Sequence, residues 1–359
     1  IKYDSAGSEL WVARYNGPAN GSDYAEGIAV DSSGNVYVTG RSWGSETAVD
    51  YATIKYDSAG NELWVRRYNG PGNYSDHAEG IVVDSSGNVY VTGRSWGSGT
   101  LSDYATIKYD SAGNELWVRR YNGPGNGSDY AYDIALDSLG NVYVIGRSSG
   151  SGTDVDYATI KYDSAGNELW VRRYNGPGNS YDEATGIALD SLGSVYVTGE
   201  SSGSGTGGDY ATIKYDSAGN ELWVARYNGP ANGWDWDYAT GIALDSLGNV
   251  YVTGRSWGSG TEYDYATIKY SQPFIAYPNP YKPPEGHTEI TFSGLTEDVR
   301  VRIFSISGEL IMDRQITGQS SWVWDGKNER GEAVARGIYI YLITNSEGGK
   351  KIGKIAIIK

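Results

Sequence analysis

The residue types that most often carry catalysis are scarce in this chain. Its 359 residues include two histidines and no cysteine, which excludes disulfides and thiolate chemistry. His77 falls in a long loop and His287 in a different segment, so neither a Ser/His/Asp triad nor a histidine metal set can be built from them. Carboxylates are plentiful, and a pair of them could hydrolyse a glycosidic bond. Almost every Asp, however, recurs at a fixed spacing, as a turn requirement would keep it. Glu26 and Glu79 are the exceptions, since Tyr132, Thr185 and Thr240 hold the corresponding places. The stretch Asp84-Ser85-Ser86-Gly87-Asn88 has the look of a calcium loop but offers one carboxylate, where calcium takes six to eight oxygens. No catalytic residue, metal site or cofactor is therefore expected. Tryptophan is the remaining candidate. Trp43, Trp96, Trp234, Trp236 and Trp257 lie among Gly, Ser, Asn and Asp, with Asp235 between two of them. Aromatic faces beside short polar side chains suit a sugar, which stacks on a ring while polar groups fix its hydroxyls. The same rings could instead cap the ends of structural units.

A repeat positions all of these residues. Ile-Lys-Tyr begins at residues 1, 54, 107, 160, 213 and 268, a spacing of 53 that lengthens to 55 once, where Trp234-Asp235-Trp236-Asp237 stands in place of the Ser22-Asp23 of the first copy. Each copy holds four short strands rich in Val, Ile, Tyr, Thr and Trp, in the second copy Tyr51–Tyr56, Glu62–Tyr68, Gly80–Val83 and Asn88–Thr92. Ten Asp-Ser-x-Gly turns supply the tight joints, Asp by bonding the turn backbone and Gly by positive φ. Four antiparallel strands per unit of this length predict a β-propeller blade. A β-solenoid is the competing reading, which tight hairpins disfavour.

The small apolar Gly-Ile-Ala-Val strand suits the crowded axis, and the charged Glu-Leu-Trp-Val-Arg-Arg-Tyr strand suits an outer edge. The expected order outward is Gly-Ile-Ala-Val, Asn-Val-Tyr-Val, Tyr-Ala-Thr-Ile-Lys-Tyr, Glu-Leu-Trp-Val. Trp11, Trp64, Trp117, Trp170 and Trp223 should pack between blades. Five inner strands predict an all-β, five-bladed propeller of four-stranded blades over residues 1–270. The last copy has no outer strand, so Glu9–Tyr15 is expected to close the ring against Tyr265–Tyr270. The chain opens at Ile1 inside a repeat and without Met, which leaves room for a leader or further repeats upstream.

Composition changes at Ser271. The Pro-rich residues 271–284 read as a stiff linker, and 285–359 as a small immunoglobulin-like β-sandwich starting near Ile275. Net charge is −15, and the segment after Tyr270 has 11 Lys and Arg against 10 Asp and Glu, so the repeats carry about −16. Such a surface repels phosphate backbones, and nucleic acid is not an expected partner. No apolar run is long enough for a membrane span.

The motifs Gly80-Ile81-Val82-Val83-Asp84, Gly87-Asn88-Val89-Tyr90-Val91-Thr92-Gly93 and Ala52-Thr53-Ile54-Lys55-Tyr56-Asp57 resemble the bacterial SBBP β-propeller repeat family. That resemblance covers residues 1–270 and implies a secreted or envelope propeller with no single assigned activity. Tyr277-Pro278-Asn279-Pro280, Ile306-Ser307-Gly308-Glu309-Leu310 and Gly337-Ile338-Tyr339-Ile340-Tyr341 resemble two bacterial C-terminal modules. These are the type IX secretion sorting domain and the hook-capping type of immunoglobulin-like domain. The terminal Lys351–Lys359 segment is the more similar to the sorting type, which implies the secretion machinery as a partner. Three functional readings follow: a non-enzymatic surface module that binds a glycan or surface protein through Trp43, Trp96, Trp234, Asp235, Trp236 and Trp257; a structural protein of a sheath, filament or surface layer; and a glycoside-acting enzyme.

Overall fold

The structure is a computed structural model that describes residues 1–231, 235–245, 248–270, 275–277, 279–293, 295, 298–319, 321–345 and 350–358. Trp234, Pro278 and the turn at Glu347-Gly348-Gly349 lie outside the described residues. Two compact units emerge, one formed by Ile1–Ile242 with Val252–Ala266, the other by Ala243–Tyr251 with Thr267–Lys359.

The repeats form the five successive blades of a β-propeller. In the first, Asp23–Val30, Val36–Trp43, Val49–Tyr56 and Glu62–Tyr68 pair antiparallel in chain order. The next three blades repeat that order, and the innermost strands of the first four neighbour one another in turn. The order outward matches the expected one. The fully described Asp-Ser-x-Gly turns form as their sequence dictates. The Asp31 carboxylate accepts the backbone N–H of Ser33 and of Asn35, both at 2.9 Å, and Gly34 takes φ 80°.

The hydrophobic core lies between blades, because a blade's two faces are covered only by its neighbours. Trp64 of the first blade sits 6.1 Å from Tyr37 and 6.2 Å from Tyr109 of the second. Its indole N–H donates to the Ser111 carbonyl at 3.3 Å, and the Lys55 ammonium donates to that carbonyl at 3.0 Å. Trp117 and Trp170 repeat the arrangement.

The chain ends differ from the expectation. Glu9–Trp11 does not pair with Tyr263–Tyr270. It forms a two-stranded sheet with Lys2–Tyr3, and the fifth blade has three strands, Tyr238–Leu244, Val250–Trp257 and Tyr263–Tyr270. The local partner wins because a hairpin costs little loop entropy, whereas closure joins the two ends of the repeat region.

The C-terminal segment is a two-sheet sandwich. Ile275–Tyr277, Ile290–Ser293 and Ser321–Trp324 form one sheet; Leu310–Ile316, Val299–Ser305, Gly337–Asn345 and Lys350–Ile357 form the other. Phe292, Trp324, Val301, Ile303, Tyr341 and Ile355 share its single core. Of the stretch expected as a stiff linker, the described residues from Ile275 onward already belong to this sandwich. Ile275–Tyr277 pairs with Thr291–Ser293, and buried Tyr281 donates its N–H to the Ala356 carbonyl at 2.8 Å. Proline content predicts stiffness but not whether aromatic neighbours anchor the segment.

Candidate binding face

In an antiparallel meander the first and third turns share one end of the sheet, and the second turn and the inter-blade joint share the other. The Asp-Ser-x-Gly turns therefore occupy one face of the propeller. The Asn-Gly-Pro joints and the turns after the second strand occupy the opposite face. A buried Asp fixes the joint that leads into each of the second to fifth blades. The Asp76 carboxylate accepts the Gly70 N–H at 2.6 Å through one oxygen and the Trp96 N–H at 3.0 Å through the other. Asp129, Asp182 and Asp237 do the same in their blades.

The described members of the expected site, Trp43, Trp96, Asp235, Trp236 and Trp257, sit on this second face, but three are not in loops. Trp43, Trp96 and Trp257 are the last residues of second strands, which run further than their Gly- and Ser-rich sequence suggests. Trp43 and Trp236 are 45% and 43% exposed, so neither is a buried cap. Trp96 is half-buried against Tyr74, ring centroids 5.4 Å apart. The amides expected as polar partners are engaged within their own loops, Asn69 donating to Asn73 at 2.6 Å and Asn122 to Asn126 at 2.8 Å.

Trp236 and Trp257 are joined through three residues that composition does not single out. Trp236 stacks on Tyr238 at 6.4 Å with an interplanar angle of 20°. The Arg255 guanidinium lies 4.5 Å from the Tyr238 ring and 4.7 Å from the Tyr263 ring. Tyr263 meets Trp257 edge-on at 4.8 Å. The result is a continuous run of four rings and one cation, with Asp235 half-exposed beside it in the chain.

Inward of that run, a polar ladder crosses the blades. Tyr24 pairs across strands with Arg41, His77 with Arg94, Tyr130 with Arg147, and Glu183 with Glu200. Neighbouring blades interlock through the same side chains. Arg41 donates to His77 Nδ1 at 3.1 Å, Arg94 lies 4.6 Å from the Tyr130 ring, and Arg147 pairs with Glu183 at 2.7 Å. The Tyr132 hydroxyl donates to the same Glu183 oxygen at 3.1 Å, and Tyr181 contacts both Arg147 and Glu183. Burial and the charges of Arg94 and Arg41 push the His77 imidazole down to about 4, so it is neutral at physiological pH. Burial, with a contribution from the Glu183 charge, pushes Glu200 up to about 7 against the pull of Tyr238 and Arg255. Glu26 lies 3.8 Å from Arg41, and burial raises Glu79 while Arg94 opposes. The ladder was visible as a column of the repeat: Arg41, Arg94, Arg147 and Arg255 hold one position, and Glu200 alone breaks it. Among the described residues no group of three or more His, Asp or Glu is placed to hold a metal ion.

The repeats match the family model described as beta-propeller repeat (SBBP) over residues 11–46, 63–99, 116–152, 169–205 and 223–260. Residues 275–359 match the model described as secretion system C-terminal sorting domain. The chain belongs to the SBBP β-propeller repeat family and ends in a type IX sorting domain, rather than the hook-capping alternative. Such a domain directs export through the type IX secretion system to the cell surface or the extracellular space, and so engages that machinery. No curated protein matches the chain. Among solved structures, PorZ, a surface component of the type IX secretion system of Porphyromonas gingivalis, is similar at 17% identity and a TM-score of 0.40. The match covers 93% of this chain and 45% of PorZ, so the chain spans less than half that length. The propeller domain of the Trilobed protease from Pyrococcus furiosus is similar at 7% identity and TM-score 0.42, covering 93% of this chain and 95% of that one. A PL25 ulvan lyase is similar at 10% identity and TM-score 0.43, with 91% of each chain covered. Among the described residues no helix is long and apolar enough to cross a membrane.

Proposed function

We propose that this exported propeller is a non-enzymatic binding module, and that its ligand is a glycan or another surface molecule held on the face of the long joints. The observation that carries this reading is the run Trp236–Tyr238–Arg255–Tyr263–Trp257, in which partly exposed rings alternate with a guanidinium. Ring faces stack on the apolar faces of sugars, and the guanidinium and Asp235 supply donors and acceptors for hydroxyls. Trp43 and Trp96 provide equivalent, weaker positions in the first two blades. One ring contributes about 1 kcal/mol, so several must act together for useful affinity. The sandwich, with antiparallel sheets of three and four strands, fits the immunoglobulin-like kinship expected from its motifs. Glycan-array binding of the full chain, compared with a variant in which Trp234, Trp236 and Trp257 are all replaced by Ala, tests the proposal. Loss of binding with an unchanged melting temperature supports it. A large loss of stability would show that the rings are structural.

A further inference from the structure

One position of the polar ladder departs from the repeat together with the residue that packs on it. Second strands carry Arg41, Arg94, Arg147 and Arg255 where the fourth blade has Glu200. Third strands begin with Val49, Ser102, Val155 and Tyr263, and in the fourth blade with Gly208. A Cβ at Gly208 would lie 2.1 Å from Glu200 Oε1, so the carboxyl packs directly on the Gly208 backbone and only glycine leaves room for it. Glu200 is fully buried, and neither of its carboxyl oxygens has a hydrogen-bond partner among the described residues. Tyr238 draws on it from the fifth blade without closing a hydrogen bond of normal geometry. The remaining neighbours do not neutralise a charge there. Glu183 lies across the strand pair on one side and Tyr210 on the other, Tyr157 of the third blade is a buried phenol that feels the same carboxyl, and the Glu183 and Asp182 charges both oppose its ionisation. Arg255 favours ionisation, but that cation is shared between the Tyr238 and Tyr263 rings. A carboxylate without donors is costly to bury, and the acid holds its proton up to about 7.

The same Gly208 seats one end of the aromatic run. Trp236 forms a parallel bridge with Gly208, and Asp237 donates its N–H to the Gly208 carbonyl at 2.6 Å. Trp236 in turn stacks on Tyr238. Asp76 and Asp129 make the equivalent bond to Val49 and Ser102, also at 2.6 Å, beside blades whose ladder position is an arginine. Only the Trp236–Asp237 segment therefore rests on a backbone that has a buried, unpartnered acid packed against it.

We infer that Glu200 is a proton-operated latch on the binding run: with its proton the Trp236–Asp237 segment stays seated on Gly208, and without it the segment lifts and ligand is released. This rests on the binding face proposed above. Lifting lets water solvate the ionised carboxyl, which no protein group does in the seated state. The seated state thus holds the proton more tightly than the lifted one. Its advantage is complete below about 4.5, the ordinary value of a glutamate, and is lost as pH rises through 7. Over a change of that size the lifted state gains up to about 300-fold on the seated one.

Hydrogen exchange reads the latch without any ligand. Between about pH 5.5 and about pH 8.5 the protection factor of the Asp237 amide should fall about tenfold or more, while those of the Asp76 and Asp129 amides stay level. In Glu200→Gln, which cannot ionise, the Asp237 amide should stay level too. Titration of the full chain with an array-identified glycan reads the consequence. The parent should bind about tenfold more weakly at the higher pH, and Glu200→Gln equally at both. Should Glu200→Gln fail to fold, the parent's Asp237 amide measured against its two control amides decides. An Asp237 amide that follows the controls overturns the inference. So does a Glu200→Gln variant that keeps the parent's fall, since another acid such as Asp182 would then be the cause. Parent binding that is equal at both pH values overturns it as well. Absence of glycan binding at every pH, with the Asp237 amide still responding, refutes the binding reading and leaves the latch standing.

Discussion

Glu183 and Glu200 are cross-strand partners in the fourth blade, at positions where the first three blades place a tyrosine or histidine opposite an arginine. The two carboxyls have different surroundings. Glu183 is ion-paired with Arg147 at 2.7 Å, whereas Glu200 is fully buried and held up to about 7 by that burial. A buried acid beside an ion-paired one resembles an acid/base pair. Burial of Glu200 instead fits a packing role inside the ladder.

The raised Glu200 makes a pH prediction. Its folded value of about 7 lies above its ordinary value of 4.5, so the folded state holds the proton more tightly than the unfolded state. The stabilisation is complete below about 4.5 and is lost as pH rises through 7, with a ceiling of about 3 kcal/mol for a shift of this size. Glu200→Gln should leave stability near pH 4 little changed and raise it near pH 8 relative to the parent. Denaturant unfolding at both pH values checks this, and equal pH slopes for the two proteins would refute it.

His77 has the opposite sign. Its imidazole is held near 4, below its ordinary 6.5, so the unfolded state binds the proton more tightly. The contribution is present above 6.5 and is lost as pH falls toward 4. An NMR titration should show no protonation of His77 above about pH 5. His77→Tyr restores the residue of the first and third blades, whose rings already lie 4.4 Å from Arg41 and from Arg147. It should remove the acid sensitivity without loss of stability at neutral pH.

The inter-blade arginines are predicted to be sensitive to shape as well as to charge. Arg120 uses two guanidinium nitrogens on four acceptors from two blades. Replacing it with Ala leaves buried Asp103 without its cation, a loss on the order of 3 kcal/mol. Lys should recover only part of it, because a single ammonium cannot reproduce the planar fork. Chemical denaturation of Arg120→Ala and Arg120→Lys measures both. A Lys variant as stable as the parent would show that charge alone suffices.

The blades were legible because turn chemistry and strand composition agree in every copy. Asp31 and Gly34 do in the structure what their residue types require. Composition also ordered the strands outward. It misled at the ends and in the linker. The outer-strand sequence of Glu9–Trp11 reads as a closing strand, but this three-residue strand pairs with Lys2–Tyr3 just before it. The prolines after Ser271 read as a spacer, while the anchoring is done by Tyr281, a residue without a pattern of its own. At the candidate binding face the tryptophans stood out singly. Arg255 did not, because the same arginine recurs in three other copies and looks structural; its meaning depends on Tyr263, which only the fold brings beside it.

Arg255 therefore gives the sharpest test of the binding face. It lies between Tyr238 and Tyr263 and is the one charged member of the run from Trp236 to Trp257. Two cation–π contacts at a partly exposed site contribute about 0.5–1 kcal/mol each. Replacing Arg255 with Leu keeps apolar bulk between the rings but removes the charge and its donors. If ligand contacts the whole run, Arg255→Leu should weaken binding by about tenfold, and Trp236→Ala should weaken it by a similar factor. In a double-mutant cycle the two losses should be non-additive, because each change disturbs the ring stack that the other completes. Titration calorimetry with an array-identified glycan measures all four proteins. Strict additivity would show that Trp236 and Arg255 act as separate contacts, and that the run is not a single binding surface.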